Sequence, residues 1–201
     1  MNFFNLMAYV PKNFERLLGI QGLSENLLKQ HFTLYEGYAA NFNKLDQILV
    51  GIEKEGKFGA PEYAELNRRF GWEFNGMRLH EYYFENLSKE PREINQNSEL
   101  FQALVREFGS YEMFEKDFKS LAASRGIGWV ILYYDKIADR LFNVWINEHD
   151  VGHFTGSSPL LVIDVFEHAF ITDYGLKRAD YIESFFKIID WQTVIDRYNK
   201  P

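Results

Sequence analysis

"LLVIDVFEHAF", residues 160–170, sets three ionisable side chains against a strongly apolar run. Asp164 directly follows four aliphatic residues, and Glu167 and His168 come three and four positions later. Burying an unpaired carboxylate or imidazole costs several kcal/mol, so each of these groups needs a partner. A metal ion held by carboxylate and imidazole ligands is one candidate for that partner.

Upstream of this stretch, apolar residues at helical spacing predict an α-helical first half. Residues 24–50 form a predicted long helix, for which Ser24 is suited as the N-cap. Residues 61–88 form a second predicted helix, with Pro61 in its first turn and a candidate interruption at Gly71.

The second half mixes helices with strands. Residues 98–124 return to helical spacing, and residues 167–198 are predicted to be helical with a break near Gly175. Between them lie three runs rich in β-branched and aromatic residues, which predict strands. The runs cover residues 126–135, 140–149 and 159–165.

A polar segment at 89–98 separates the two halves and is the best candidate for a linker. The predicted fold class is therefore α+β. An N-terminal α-helical hairpin occupies domain 1–90, and an α/β domain with a small antiparallel sheet occupies domain 91–201.

The composition excludes several classes of function. The 201 residues are 46% hydrophobic, which allows a sizeable core, and the formal net charge of −7 argues against a nucleic-acid partner. No cysteine is present, so disulfides, thiolate metal sites and a cysteine nucleophile are excluded. No apolar run is long enough to cross a membrane, and no secretory signal is recognised. We expect a cytoplasmic location.

Four residues form a candidate metal site. His31 and His80 lie on the two predicted helices, while Asp164 and His168 belong to the opening stretch. Three imidazoles and one carboxylate suit iron or manganese, and zinc also accepts these ligand types. Spacing alone does not bring three distant segments together, so these histidines could equally be core or surface residues.

Several motifs carry a resemblance to the iron/manganese superoxide dismutase family. The most specific is "DVFEHAF" at 164–170, which is similar to the family signature D-x-W-E-H-A-Y. Further similar segments occur in the family's order across nearly the whole chain. They are "GLSENLLKQH" (22–31), "FNGMRLHEYYF" (74–84), "GIGW" (126–129), "KRADYI" (177–182) and "IIDW" (188–191).

The resemblance implies both a fold and an activity. The fold would be a helical hairpin followed by an α/β domain with a three-stranded antiparallel sheet. His31, His80, Asp164 and His168 would hold one iron or manganese ion per subunit, and iron is favoured. The substrate would be superoxide, disproportionated to dioxygen and hydrogen peroxide. The chain would form a homodimer or a tetramer.

The resemblance also implies roles for five further residues. Tyr38 and His149 would hold solvent at the metal and relay protons. Trp129 would wall the pocket, or else pack in the core. Arg178 would attract the anion near the channel, or else form a surface salt bridge. Glu167 would reach across a two-fold axis to His168 of the partner subunit.

The outer-sphere group has two candidate positions in the family. One lies four residues before the second ligand and is Gly76 in this chain, so the group must come from the other. There His149 aligns better than His153, which stays as the alternative. Tyr38 follows His31 by seven residues rather than the family's eight, and seven steps return to nearly the same helix face.

The chain departs from the family pattern at other positions. Phe84 and Phe166 replace tryptophans, Phe170 replaces a tyrosine, and Tyr35 fills the place of a missing gateway histidine. Two alternatives to the family activity therefore stay open. One is a metal-free structural homologue, and the other is a different non-haem iron oxidoreductase, which usually has two histidines and one carboxylate.

Overall fold

The structure, a computed structural model, describes residues 8–200. Its first half is a hairpin of two long helices, α1 (Glu25–Lys54) and α2 (Pro61–Glu85), which pack against each other. The hydroxyl of Ser24 accepts a hydrogen bond from the Leu27 amide at 3.1 Å, as expected of an N-cap. The expected interruption at Gly71 is wrong, because α2 runs through it unbroken.

The second half holds the predicted helices and sheet. Helices α3 (Glu99–Phe108) and α4 (Tyr111–Ala122) precede strands β1 (Gly128–Asp135), β2 (Arg140–Asn147) and β3 (Ser158–Asp164). Helices α5 (Ile171–Tyr174), α6 (Arg178–Phe186) and α7 (Trp191–Asn199) follow. The three strands form one antiparallel sheet in the order β2-β1-β3, which confirms the predicted α+β fold class.

Several boundaries differ from the prediction: α1 extends to Lys54, β1 begins at Gly128, and residues 167–198 break again between α6 and α7. Residues 98–124 form two helices rather than one, because Gly109 ends α3 with a φ of +86° and Ser110 caps α4. Left-handed backbone of this kind favours glycine, which has no Cβ. Strand β2 ends at Asn147, so His149 lies in the turn that follows and not in the strand.

Contacts between the two halves bring the candidate residues together. Helix α2 packs on β3, and α1 packs on the 3-10 turn Glu167–Ala169. Trp129 pairs in register with Asp164 on β3 and with Ile146 on β2. One hydrophobic core includes side chains from both halves, and the proposed domain boundary at residue 90 stays a prediction. Within residues 8–200, no helix is long and apolar enough to span a membrane.

Candidate metal centre

The four predicted ligand residues converge on one point. His31 comes from α1, His80 from α2, Asp164 from the end of β3, and His168 from the 3-10 turn just after it. One ligand atom from each lies within 4.8 Å of the others. Oδ2 of Asp164 is 3.1 Å from Nε2 of His31, 3.1 Å from Nε2 of His168 and 3.7 Å from Nε2 of His80.

The donor atoms at this point fit a metal ion. Nδ1 of His80 lies 2.6 Å from the carbonyl oxygen of Gly76, which can only accept, so the imidazole proton sits on Nδ1. Nε2 of His80 is then an unprotonated acceptor, fully buried and without a hydrogen-bond partner among residues 8–200. Oδ1 of Asp164 accepts from the Phe166 amide at 2.8 Å, which leaves Oδ2 among the imidazoles. A cation would give Nε2 of His80 the partner that it lacks.

Burial and charge set the protonation of these ligands. Burial lowers the pKa of His80 well below its usual value, and it lowers the pKa of His31 as well. Burial acts to raise the pKa of Asp164, but the His168 and His31 imidazoles outweigh it and hold that pKa below its usual range. At neutral pH the site therefore offers a carboxylate and the neutral imidazoles of His31 and His80, the forms that bind a metal. Burial acts to lower the pKa of His168, but the Asp164 carboxylate outweighs it and raises that pKa, so a metal ion would have to displace a proton there.

Beside the ligands lies a hydrogen-bonded set of three groups, Tyr38, His149 and Trp129. The indole N–H of Trp129 donates to Nδ1 of His149 at 3.0 Å, and Nε2 of His149 is 2.8 Å from the Tyr38 hydroxyl oxygen. Trp129 and His149 are fully buried. Burial lowers the pKa of His149 to about 4 and raises the pKa of Tyr38. Both side chains are neutral at pH 7.

Gly76 provides the space that Tyr38 occupies. A Cβ atom added at Gly76 would lie only 2.6 Å from the Tyr38 ring, closer than real Cβ contacts. The ring also lies 5.2 Å from the His80 ring, centroid to centroid. Gly76, which has no side chain to serve as the outer-sphere group, therefore leaves the space in which the Tyr38 ring packs beside His80.

His153 is placed behind His149 rather than beside the ligands. Its Nε2 lies 2.7 Å from the backbone carbonyl oxygen of His149, so Nε2 donates. Its Nδ1 then accepts from the Tyr133 hydroxyl at 2.6 Å. The hydrogen bond from His153 therefore fixes the backbone of His149.

Arg178 and Glu167 lie outside the ligand cluster. Arg178 donates to the carbonyl oxygens of Ser124, Gly126 and Val165 at 2.7–3.0 Å, and within residues 8–200 it forms no salt bridge. Burial lowers its pKa from the usual value for arginine. The Glu167 side chain is exposed and has no hydrogen bond in the described part of the chain. Its contact with a partner subunit stays a prediction.

Two of the substituted aromatics pack directly on the site. The Phe84 ring makes an edge contact with His31 at 4.9 Å. Phe166 stacks on His149 at 4.9 Å and on His168 at 5.3 Å. These phenylalanines keep the apolar wall that a tryptophan would supply, without an indole N–H.

Tyr35 is buried next to the site and faces away from the ligands. Its hydroxyl donates to Oε1 of Glu81 at 3.0 Å and accepts from the Lys12 amide at 2.8 Å. Glu81 also accepts from Arg78 at 2.5 Å. Tyr35 therefore joins a charged network at the position where the family has a second histidine.

Sequence reasoning missed several residues near the site, among them Trp72. Its ring lies 4.5 Å from the His149 ring and 5.4 Å from the Tyr38 ring. The signal was present in the spacing, since Trp72 precedes Gly76 by four residues and His80 by eight. Residues so spaced share one helix face.

Together, the helical hairpin, the three-stranded sheet and the buried His₃Asp cluster form a protein with a site suited to a single transition-metal ion. A family model described as iron/manganese superoxide dismutases, C-terminal domain, matches residues 96–197. The chain belongs to the iron/manganese superoxide dismutase family.

Curated relatives agree with this assignment. Superoxide dismutase [Mn] 2 of Haloferax volcanii is 33% identical over 179 residues, covering 89% of this chain and 88% of the relative. Superoxide dismutase [Fe] of Aquifex pyrophilus is 33% identical over 196 residues, covering 94% and 91%. Superoxide dismutase [Mn] 2 of Halobacterium salinarum is 36% identical over 185 residues, covering 88% and 87%. Iron and manganese forms thus both occur among the relatives.

Proposed function

We propose that this chain is a superoxide dismutase, which converts two superoxide anions and two protons into dioxygen and hydrogen peroxide. The observation that carries the proposal is the convergence of His31, His80, Asp164 and His168 within 4.8 Å, in a chain of this family. These four residues would hold one iron or manganese ion. The bound ion would supply the redox chemistry, accepting an electron from one superoxide and returning it to another.

The protein's own residues would handle the protons. Trp129 donates to Nδ1 of His149 and so keeps the imidazole proton on Nε2. Nε2–H in turn donates to the Tyr38 oxygen, and the Tyr38 hydroxyl proton is left free for a reacting oxygen. Burial raises the pKa of Tyr38, so the phenol keeps this proton at neutral pH until it is used.

The approach of the substrate poses an electrostatic question, because superoxide is an anion and the net charge of the chain is −7. A local positive charge can guide an anion against the global sign. We propose Arg178 for this role. Its three hydrogen bonds to carbonyl oxygens hold the guanidinium in place without neutralising it.

The finer features of the protein are part of the same proposal. We propose iron as the metal, because His149 in the outer sphere and Phe166 in the signature resemble iron-using members of the family. We also propose a homodimer, or a tetramer built from it, in which Glu167 pairs with His168 of the partner subunit. The expected cytoplasmic location stays a prediction.

Measuring the metal content and the activity of the same protein samples tests the proposal. The purified protein is stripped of metal and reconstituted separately with iron and with manganese, and superoxide loss is measured alongside oxygen uptake. We expect about one ion per chain and superoxide loss with iron. Oxygen uptake without superoxide loss would indicate a different non-haem iron oxidoreductase. Failure to bind either metal would indicate a metal-free homologue.

The matched variant is His80→Ala, which removes the buried, unprotonated Nε2 atom that would bind the metal. It should bind neither metal, and superoxide should decay no faster with it than without protein.

A further inference from the structure

Trp72 stands at the outer end of a row of residues on α2. His80, Gly76 and Trp72 follow one another at intervals of four and share one helix face. His80 faces the metal centre and Gly76 makes room for the Tyr38 ring. Trp72, which is half-buried, continues the row toward solvent. The proposed function assigns it no role.

The Trp72 ring packs on both members of the proton-handling pair. It meets the His149 ring edge-on, with centroids 4.5 Å apart and planes at 71°. It lies 5.4 Å from the Tyr38 ring. The indole therefore limits the movement of both rings.

Polar contacts from two residues, Glu148 and Arg69, fix the indole. Its N–H donates to Oε2 of Glu148 at 3.2 Å. The Arg69 guanidinium lies 3.8 Å from the ring centroid, a cation–π distance. Arg69 donates in turn to Oε1 of Glu73 at 3.0 Å, and Glu73 is only 3% exposed. The Arg69–Glu73 pair anchors the indole to α2, and Glu148 joins it to the sheet half of the protein.

Glu148 is the residue directly before His149, and its backbone is left-handed, with a φ of +52°. A non-glycine residue in this region costs free energy and needs support from its surroundings. The hydrogen bond from the Trp72 indole N–H to the Glu148 side chain supports this backbone conformation from one side of His149. His153 holds the His149 carbonyl from the other side, at 2.7 Å.

We propose that Trp72 is a positioning residue for His149. Through its hydrogen bond to Glu148 and its ring contact, it holds His149 in the orientation that bonds both Tyr38 and Trp129. The importance of this orientation for anion chemistry rests on the proposed function. The mechanical coupling of Trp72, Glu148 and His149 does not.

The test removes the hydrogen bond from either side. Trp72→Phe keeps an aromatic ring but loses the N–H, and Glu148→Ala loses the acceptor. Glu148→Gln keeps an oxygen acceptor and serves as the rescue variant. Tyr63→Phe is the matched control, because it removes another aromatic donor from a glutamate, Glu53, between α1 and α2.

The first readout uses metal-free protein. Hydrogen exchange of the Trp129 indole N–H, followed by NMR, reports its bond to His149. We expect exchange to become about 10-fold faster in Trp72→Phe and in Glu148→Ala, with no further change in the double variant. Glu148→Gln and Tyr63→Phe should stay near wild type. A variant that fails to fold is replaced by its counterpart on the other side of the bond.

The second readout uses the metal-loaded protein and azide as an anion probe. We expect the azide dissociation constant to rise about 3- to 10-fold in the same two variants, with a shift in the pH midpoint of azide binding. Unchanged Trp129 exchange in both variants would overturn the proposal, and so would unchanged azide binding in protein that holds metal. If the wild-type protein holds no metal, the proposed function fails while the exchange experiment still decides the role of Trp72.

Discussion

Nε2 of His149 lies 2.8 Å from the Tyr38 hydroxyl oxygen, and a third residue fixes the direction of this hydrogen bond. The Trp129 indole can only donate, so Nδ1 of His149, 3.0 Å away, must accept. The imidazole proton is therefore on Nε2, and Nε2–H donates to Tyr38. One buried tryptophan thus frees the Tyr38 proton for transfer to another oxygen.

Tyr38→Phe should lower turnover without loss of metal. The variant keeps the ring that fills the space over Gly76 but removes the oxygen that bonds to His149. Loss of a proton-transfer group typically costs about 10²-fold or more in rate. Stopped-flow measurement of superoxide decay and metal analysis check both parts. Wild-type turnover in Tyr38→Phe would remove this tyrosine from the proton path.

The buried His149 should make metal-free protein less stable in mild acid. Its pKa falls from 6.5 to about 4 on folding, so between these values the unfolded chain binds more protons. The stability that His149 contributes is present above pH 6.5 and is lost as the pH falls to about 4. The two pKa values correspond to a loss of about 3 kcal/mol.

The comparison that isolates this effect is His149→Gln, which cannot titrate but keeps a donor and an acceptor. Wild type and variant share all other titrating groups, including the four ligand residues. Urea unfolding of both proteins between pH 4 and 8 should therefore give curves that diverge only below about pH 6.5. Parallel curves would mean that His149 is not held neutral by burial.

Asp164→Asn should abolish metal binding but preserve the fold. The amide oxygen can still accept from the Phe166 backbone amide, a bond of 2.8 Å in the structure, but the negative charge is lost. We expect metal content after reconstitution below about a tenth of wild type, with unchanged circular dichroism. Asp180→Asn, an exposed carboxylate on α6, is the control and should bind metal normally. Full metal content in Asp164→Asn would contradict the site.

Arg178 allows a structural and an electrostatic role to be separated. Arg178→Lys keeps the positive charge but not the fork that reaches three carbonyl oxygens, so the free energy of unfolding should fall by about 2–3 kcal/mol. Its rate with superoxide should keep the wild-type dependence on ionic strength. Arg178→Met should lose stability and also weaken that dependence. An unaltered salt dependence in Arg178→Met would leave Arg178 a purely structural residue.

Local spacing predicted the helices and the strands, but it marked the four ligand residues only as candidates. His31 and His80 fall on helix faces, and Asp164 follows an aliphatic strand. The meeting of these residues is not local, since 133 positions separate His31 from Asp164. Spacing alone did not predict that these residues lie close together, whereas the resemblance to the family did.

Other features depend on tertiary contacts that no motif records. A single glycine costs only about 1 kcal/mol in a helix, so the packing of α2 is sufficient to keep the helix continuous through Gly71. Gly109, whose backbone is left-handed, does end α3. Arg178 bonds to backbone carbonyls, which carry no sequence signature. Trp72 binds Glu148, 76 positions away, on a turn whose backbone conformation the sequence does not reveal.

Glu167→Ala should weaken a dimer of this chain. The exposed carboxylate has no hydrogen bond within residues 8–200, although it adjoins the ligand His168. If each Glu167 accepts from His168 of the partner subunit, the variant loses two charge-assisted bonds per dimer, and its dissociation constant should rise at least about 100-fold. Analytical ultracentrifugation measures the dissociation constant and metal analysis measures the metal content, with exposed Glu90→Ala as the control. A dimer and a metal content that both match wild type in Glu167→Ala would exclude the cross-subunit contact.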